Sequence, residues 1–249
     1  MSEDHAIPAA TLVVFRDRPG AAELLFVERA ASMAFAGGAI VFPGGRVDPG
    51  DHVLGALRPD LDPQDSAARV AAIRETIEEA GLAVGVVGAI DMHAARAALA
   101  GGVALGAVLG EAGARLDLDA LVPFAHWCPA PRAHSRTFDT RFYLARTPEG
   151  AAPAEVDATE NVGLFWATAA DVLARAAAGS VRMIFPTRRN LERLALSASF
   201  IEACTNAAAH AIDRVVPWVE TREEGMMLCI PTHLGYPVTA EPLEQAMRG

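Results

Sequence analysis

Arg74-Glu75-Thr76-Ile77-Glu78-Glu79-Ala80-Gly81-Leu82 is the stretch whose reading decides the fold. Upstream of it, Asp62-Pro63-Gln64-Asp65 is a helix-start signal: Asp as N-cap, Pro at the first helical position, and an acid in the first turn, where the helix dipole favours negative charge. Gly81 is the matching stop. Between them, at about 100° per residue, Val70, Ile73 and Ile77 fall within roughly 60° of one another and make a single core-facing stripe. With Glu75 set at zero, that stripe lies near about 160–220°, and Glu78 and Glu79 fall near about −60° and +40°. Three carboxylates therefore share the face opposite the stripe. Like charges at this spacing cost a helix only about 0.2–0.5 kcal/mol per pair, so a solvated acidic face is one reading. A cluster of hard oxygen ligands is the other.

Working outward, residues 11–15 and 23–28 are β-rich runs separated by Arg16-Asp17-Arg18-Pro19-Gly20, which predicts a hairpin. A third apolar run, residues 39–42, leads into Pro43-Gly44-Gly45. There Pro ends a central strand, and the glycines allow backbone angles closed to other residues. A loop exposing backbone N–H groups, beside oxygen ligands on a rigid helix with an Arg before them, suits Mg²⁺ or Mn²⁺ carrying a phosphorylated substrate.

Gly45, five intervening residues, Asp51, and then Arg-Glu-x-x-Glu-Glu-x-Gly-Leu resembles the Nudix box, Gly-x5-Glu-x7-Arg-Glu-U-x-Glu-Glu-x-Gly-U with U apolar. Asp51 stands where the family has Glu, 22 residues separate it from Arg74, and Thr76 occupies an apolar position. The stretch Leu25-x3-Arg29-x3-Met33 followed by residues 38–48, the run Arg136-Thr137-Phe138-Asp139-Thr140-Arg141-Phe142-Tyr143, Phe165-Trp166, Pro186-Thr187-Arg188-Arg189-Asn190-Leu191 and Gly235-Tyr236-Pro237 are similar to the peroxisomal coenzyme A diphosphatase-like branch, which has an extended box. The resemblance runs from about residue 8 to 238. It implies an α/β fold, a Nudix α/β/α sandwich with a mixed sheet, plus a helical insertion and a C-terminal helix and hairpin extension. It also implies Glu75, Glu78 and Glu79 as metal ligands, Glu75 and Glu78 in catalysis, and Arg74 pairing with a box glutamate. The cofactor would be Mg²⁺ or Mn²⁺, and the reaction hydrolysis of a diphosphate bond in a nucleoside diphosphate-linked substrate such as coenzyme A or an acyl-coenzyme A. A Nudix module that senses a nucleotide metabolite without cleaving it is the alternative.

A catalytic acid from outside the helix is expected among Glu155, Asp157 and Glu160, with Glu160 first; each also fits an exposed loop acid. Gly44, Gly45, Arg29 and Arg46 are candidates for the substrate's phosphates, because the guanidinium fork suits bidentate contact. Both arginines also fit a surface ion pair. His126, beside Trp127, fits a structural donor better than a base.

Beyond the box, residues 92–120 read as two short helices capping the core, and residues 121–127, 138–144 and 163–166 as strands with a break at Cys128-Pro129-Ala130-Pro131. Helices follow at about residues 169–178 and 187–212, then a hairpin of residues 215–221 and 226–230. No repeat or linker divides the chain. It is expected to be one domain over residues 1–249, with a core at about 8–180 and an extension at about 181–249.

Composition narrows the chemistry. All 21 basic residues of the 249 are Arg, which excludes a Walker A loop, a pyridoxal Schiff base and a lysine nucleophile. A net charge of −10 argues against nucleic acid as partner and fits a small-molecule nucleotide substrate only if a cation intervenes. Cys128, Cys204 and Cys229 form no CxxC and suggest neither disulfides nor zinc. Without a basic-then-apolar leader, and with uncharged runs such as residues 97–110 too short to span a bilayer, no membrane association and a cytoplasmic location are expected. A homodimer is compatible with the sequence.

Overall fold

The computed structural model describes residues 6–33, 36–128, 137–157 and 160–246. Two β-rich runs form the expected hairpin, β1 (Ile7–Arg16) and β2 (Glu23–Arg29), joined antiparallel at Phe15 and Arg16. β3 (Ile40–Val41) stops before Pro43, and β4 (Gly44–Arg46) turns back to pair with the start of β1. Next come α1 (Pro49–Gly55), α2 (Pro63–Ala80), β5 (Val86–Val87), α3 (Met92–Ala100), α4 (Leu105–Ala112) and β6 (Arg115–Leu116). The second half of the sheet is β7 (Val122–Trp127), β8 (Phe138–Arg146) and β9 (Asn161–Ala167). The chain continues with α5 (Ala169–Ala177), α6 (Phe185–Leu194), α7 (Phe200–Ala208), β10 (Arg214–Val215) and a three-stranded sheet of β11 (Trp218–Arg222), β12 (Gly225–Cys229) and β13 (Ala240–Pro242).

The main sheet has eight strands, with the path β10-β7-β8-β1-β2-β3, β4 on β1 and β9 on β2. It is mixed: β1 with β8 and β7 with β10 are parallel, and the remaining pairs are antiparallel. In its central strands residues 12–15 of β1 and 24–27 of β2 are continuous buried apolar runs, because both faces are covered there. In β1 the pleat sends Leu12 and Val14 to one core with Val70, Ile73 and Ile77 of α2, and Val13 and Phe15 to the other with Val172 of α5 and Leu191 of α6. The result is an α/β/α sandwich.

The α2 boundaries follow the capping chemistry. Asp62 accepts from the N–H groups of Gln64 and Asp65, and Gly81 takes the left-handed conformation at φ 63°. Thr76, polar at an apolar position, is fully buried and spends its hydroxyl on the Ala72 carbonyl at 2.7 Å. The long separation between Asp51 and Arg74 is accounted for by α1, its turn and the first half of α2.

Three expectations need correction. The helix expected over residues 187–212 is two helices, α6 and α7: Ser199 caps the second by accepting from the Glu202 N–H, so the chain restarts there. Of the tail hairpin, Val215 pairs instead with Trp127 of the main sheet, and Pro217 separates it from β11. Gly44 and Gly45 have no positive φ. They are small for closeness: a Cβ on Gly44 would strike Ala10 and Thr11 of β1, and one on Gly45 would strike the Glu75 carboxylate. Arg136 and the Pro129-Ala130-Pro131 break lie outside the described residues. Cys128, Cys204 and Cys229 are free thiols. Among the described residues no helix is long and apolar enough to cross a membrane.

Candidate active site

Because β4 lies against β1 and α2 packs across it, the acidic face of α2 meets the glycine turn, not bulk water. Glu79 is 5% exposed, and its carboxylate accepts from the Gly44 N–H at 2.9 Å and from Asn161 Nδ2 at 3.1 Å. The Gly44 N–H, expected to be free for substrate, is therefore committed to a box carboxylate. Arg74 organises the other side. Its Nε and Nη2 grip Asp51 at 3.1 and 2.9 Å, Nη2 also donates to the Arg46 carbonyl at 2.8 Å, and Nη1 reaches Glu75 at 2.9 Å and Glu78 at 3.3 Å. Asp51 is itself buried and accepts from the Asp48 N–H at the start of α1. The acid that departs from the Nudix pattern thus ties the insertion helix to the arginine that holds the acidic face.

Crowding carboxylates out of water favours their neutral forms. Desolvation, with Glu78 nearby and against the pull of Arg74, pushes Glu75 up to about 7. Glu79 rises to about 8 through desolvation and the Glu75 charge, partly offset by the Gly44 N–H, Asn161 and Arg29. Glu78, raised by desolvation, is likewise opposed by Arg74. Burial alone would lower Arg74, but the Asp51 hydrogen bond and the surrounding carboxylates outweigh it and keep the guanidinium charged.

The face opens on a cleft of about 2030 Å³. Arg29, Gly44, Gly45, Arg46, Arg74, Glu75, Glu78, Glu79, Glu155, Asp157 and Glu160, all singled out in the sequence, line it. Arg29 stands between Glu79 and Glu160 at 3.8 and 3.7 Å, so it is both an ion-pair partner and a wall of the cleft. Glu160 is exposed, with its N–H held by Asp157. Arg46 points out to solvent at the rim. His126 pairs with Asp139 at 2.5 Å and is not among the lining residues.

Whether this set suits a divalent cation can be judged from its donors. They are hard oxygens on a rigid helix, with buried Glu79 repelled by partly buried Glu75, and Asn161 Oδ1 beside Glu79 is a buried oxygen without a hydrogen-bond partner. Mg²⁺ or Mn²⁺ fits that chemistry. Among the described residues no three His, Cys, Asp or Glu side chains already stand at metal-holding geometry; Glu75 and Glu79 are turned onto Arg74, Gly44 and Asn161. Asn161 was missed in the sequence because nothing in the motif marks it; it reaches Glu79 only through the pairing of β9 with β2.

Comparison with known proteins places the fold. The chain is similar to the Nudix hydrolase from Alicyclobacillus acidocaldarius at 30% identity and a TM-score of 0.72, over 82% of this chain and 97% of that one. The Ap4A hydrolase binary complex of C. elegans matches at 19% identity and TM-score 0.42, over 75% of this chain and 93% of that one. The Nudix domain of Shewanella oneidensis NrtR, complexed with ADP ribose, matches at 13% and 0.44, over 76% and 85%. The last two similarities are too distant to carry weight. No family model and no curated protein matches the chain.

Proposed function

The chain belongs to the Nudix hydrolase family, whose members cleave diphosphate bonds, and from that premise we propose a divalent-metal-dependent diphosphohydrolase acting on a nucleoside diphosphate-linked molecule, coenzyme A or an acyl-coenzyme A first among them. The observation that supports this most is the meeting of Glu75 and Glu79 with the glycine turn, with Glu78 beside them, at the wall of one large cleft.

Glu75, Glu78 and Glu79 would hold Mg²⁺ or Mn²⁺, with the Asn161 amide oxygen close by. The ion would supply positive charge to the phosphoryl oxygens and lower the pKa of water. Arg74 holds Glu75 and Glu78 while Asp51 holds Arg74 in place, so the acids stay gathered on one face and would turn from these partners onto the ion. Glu160, exposed at the cleft and close to Arg29, would accept the proton of the attacking water. Arg29 and Arg46 would contact phosphate oxygens. Phe142, Phe185, Trp127, Trp218 and Leu228 give the cleft a second, apolar wall, which suits the acyl or pantetheine arm. In this reading the C-terminal elements up to residue 246 complete the cleft as part of one domain.

The test is product analysis with Mg²⁺ or Mn²⁺ against coenzyme A, acyl derivatives, NADH, ADP-ribose and dinucleoside polyphosphates. Cleavage of coenzyme A into an adenosine bisphosphate and phosphopantetheine is expected, with Glu79→Gln nearly inactive. A parent-like Glu79→Gln enzyme, or tight nucleotide binding with no cleavage, would overturn the hydrolase in favour of the sensor reading.

A further inference from the structure

Asn161 lies outside the motif and is not among the residues lining the cleft, yet it holds Glu79, the most buried of the three carboxylates, from behind. The side chain is 1% exposed, and its Nδ2 donates to Glu79 Oε1 at 3.1 Å, while the Gly44 N–H donates to Glu79 Oε2 at 2.9 Å. Each carboxylate oxygen is therefore fixed separately, one by β9 and one by the glycine turn. An ionised carboxylate has about four acceptor sites, and these bonds take one on each oxygen. Glu79 can accept a cation without releasing either partner.

Asn161 reaches Glu79 only because β9 is irregular. Leu164 and Trp166 pack toward α2, and Phe165 and Ala167 toward the opposite core. Strict alternation carried back along the strand would face Val162 toward α2 and turn Asn161 away. Instead the register with β2 shifts: Glu28 pairs with Gly163 and Arg29 with Asn161, which leaves Val162 as an extra, exposed residue. Such a bulge re-aims the side chains beside it. It sets Asn161 directly opposite Arg29, whose Nη1 approaches the same Glu79 Oε1 at 3.8 Å. Asp157 secures the entry to the bulge, its carboxylate accepting from the N–H groups of Glu160 and Asn161 at 2.9 and 3.2 Å.

The amide is poorly suited to a purely stabilising role. Its Oδ1 is buried without a hydrogen-bond partner, an arrangement that costs stability. An apolar side chain would fill the same space without that cost. What Asn161 supplies instead is one N–H on a box carboxylate.

We propose that Asn161 is a positioning residue of the metal centre: aimed by the β9 bulge, it fixes the Glu79 carboxylate from outside the motif so that Glu79 meets the cation in one orientation. The proposal rests on the divalent-metal reading above and is independent of which diphosphate is cleaved. Asn161 acts through Glu79.

The probe is Mn²⁺ alone, titrated into the full chain and followed by the paramagnetic resonance signal of the free ion. Partners that orient a metal ligand are worth about 10–100-fold in affinity, so Asn161→Leu, which keeps the branching but has no N–H, is expected to weaken Mn²⁺ binding about tenfold or more. Asn161→Ala, which removes the donor without added bulk, should lose as much, and Asn161→Gln, which keeps a carboxamide donor, should lose less. Thermal unfolding without metal checks that each variant is folded. A residue that only filled the core would lower the melting temperature and leave Mn²⁺ affinity alone, so parent-like binding by folded Asn161→Leu or Asn161→Ala overturns the proposal. No Mn²⁺ binding by the parent chain would remove the divalent-metal reading itself, and the proposal with it, so the two failures are told apart.

Discussion

At Gly45 a Cβ would fall on the Glu75 carboxylate, so Gly45→Ala must displace a site acid by a side chain's width while leaving both cores intact. A misplacement of about 1 Å costs on the order of 10²-fold in rate. We predict a fall of that size in kcat, with the far-ultraviolet circular dichroism spectrum unchanged; steady-state kinetics on whichever panel member is cleaved will show it. Asp51 makes the converse case. Its two oxygens are the main partners of buried Arg74, and removing one member of a buried pair costs about 3–5 kcal/mol because the other charge stays desolvated. Asp51→Ala should lose about that much in denaturant unfolding. A loss below about 1 kcal/mol would mean that Arg74 is carried by its glutamates and the Arg46 carbonyl.

The α2 helix carries the site, and its ends are chemically separate from its middle. Asp62 caps it through the Gln64 and Asp65 N–H groups, far from Glu75. Asp62→Ala is therefore expected to cost about 1 kcal/mol of stability with KM and kcat retained, measured side by side by thermal melts and kinetics. In the C-terminal elements the Tyr236 hydroxyl receives the Trp127 Nε1–H at 2.9 Å and donates to Asn190 Oδ1 at 3.0 Å, tying the tail to a strand of the main sheet that also lines the cleft. Tyr236→Phe removes the hydroxyl and leaves Trp127 with Asn190 alone. A loss of about 1–2 kcal/mol with a shifted tryptophan emission is the expected result; an unchanged melting temperature would remove the tail from the account of the cleft.

Across the whole molecule, the raised acids set how stability depends on pH. Glu75 at about 7 and Glu79 at about 8 bind protons more readily in the folded chain than the ordinary Glu at 4.5, and Glu192, held by burial beside Glu241 and against Arg189, does so at about 7. The folded state therefore holds more protons than the unfolded chain between about pH 4.5 and 8, and stability falls as pH rises through that window. Without divalent cations the melting temperature should decline from pH 5 to pH 8.5. Mg²⁺ or Mn²⁺ at about a hundred times its Kd should restore about 2.7 kcal/mol at the upper end, and Glu79→Gln should reduce both the decline and the rescue. A melting temperature that rises with pH in the chelated protein would contradict the burial of these carboxylates.

The helix of Glu75, Glu78 and Glu79, its caps, the strands around it and the absence of lysine chemistry were legible in the sequence, because capping, periodicity and proton-bearing groups are properties of neighbouring residues. Ser199, a serviceable N-cap in an Ala-rich run, passed unread because local propensity alone does not break the 187–212 segment. The Gly44-Gly45 pair was read as a turn needing unusual angles; only the packing of β4 against β1 and of Glu75 against Gly45 shows that the missing atom is a matter of space. Asp51 and Asn161 acquired partners 23 and 82 residues away in sequence, and Arg96 met the end of α2 across 18. The sequence by itself determined which groups could do the chemistry, since donors and charges are carried by residue type. The tertiary structure decided which of them face one another and how far they are desolvated, because distance and burial arise only when separate strands and helices pack.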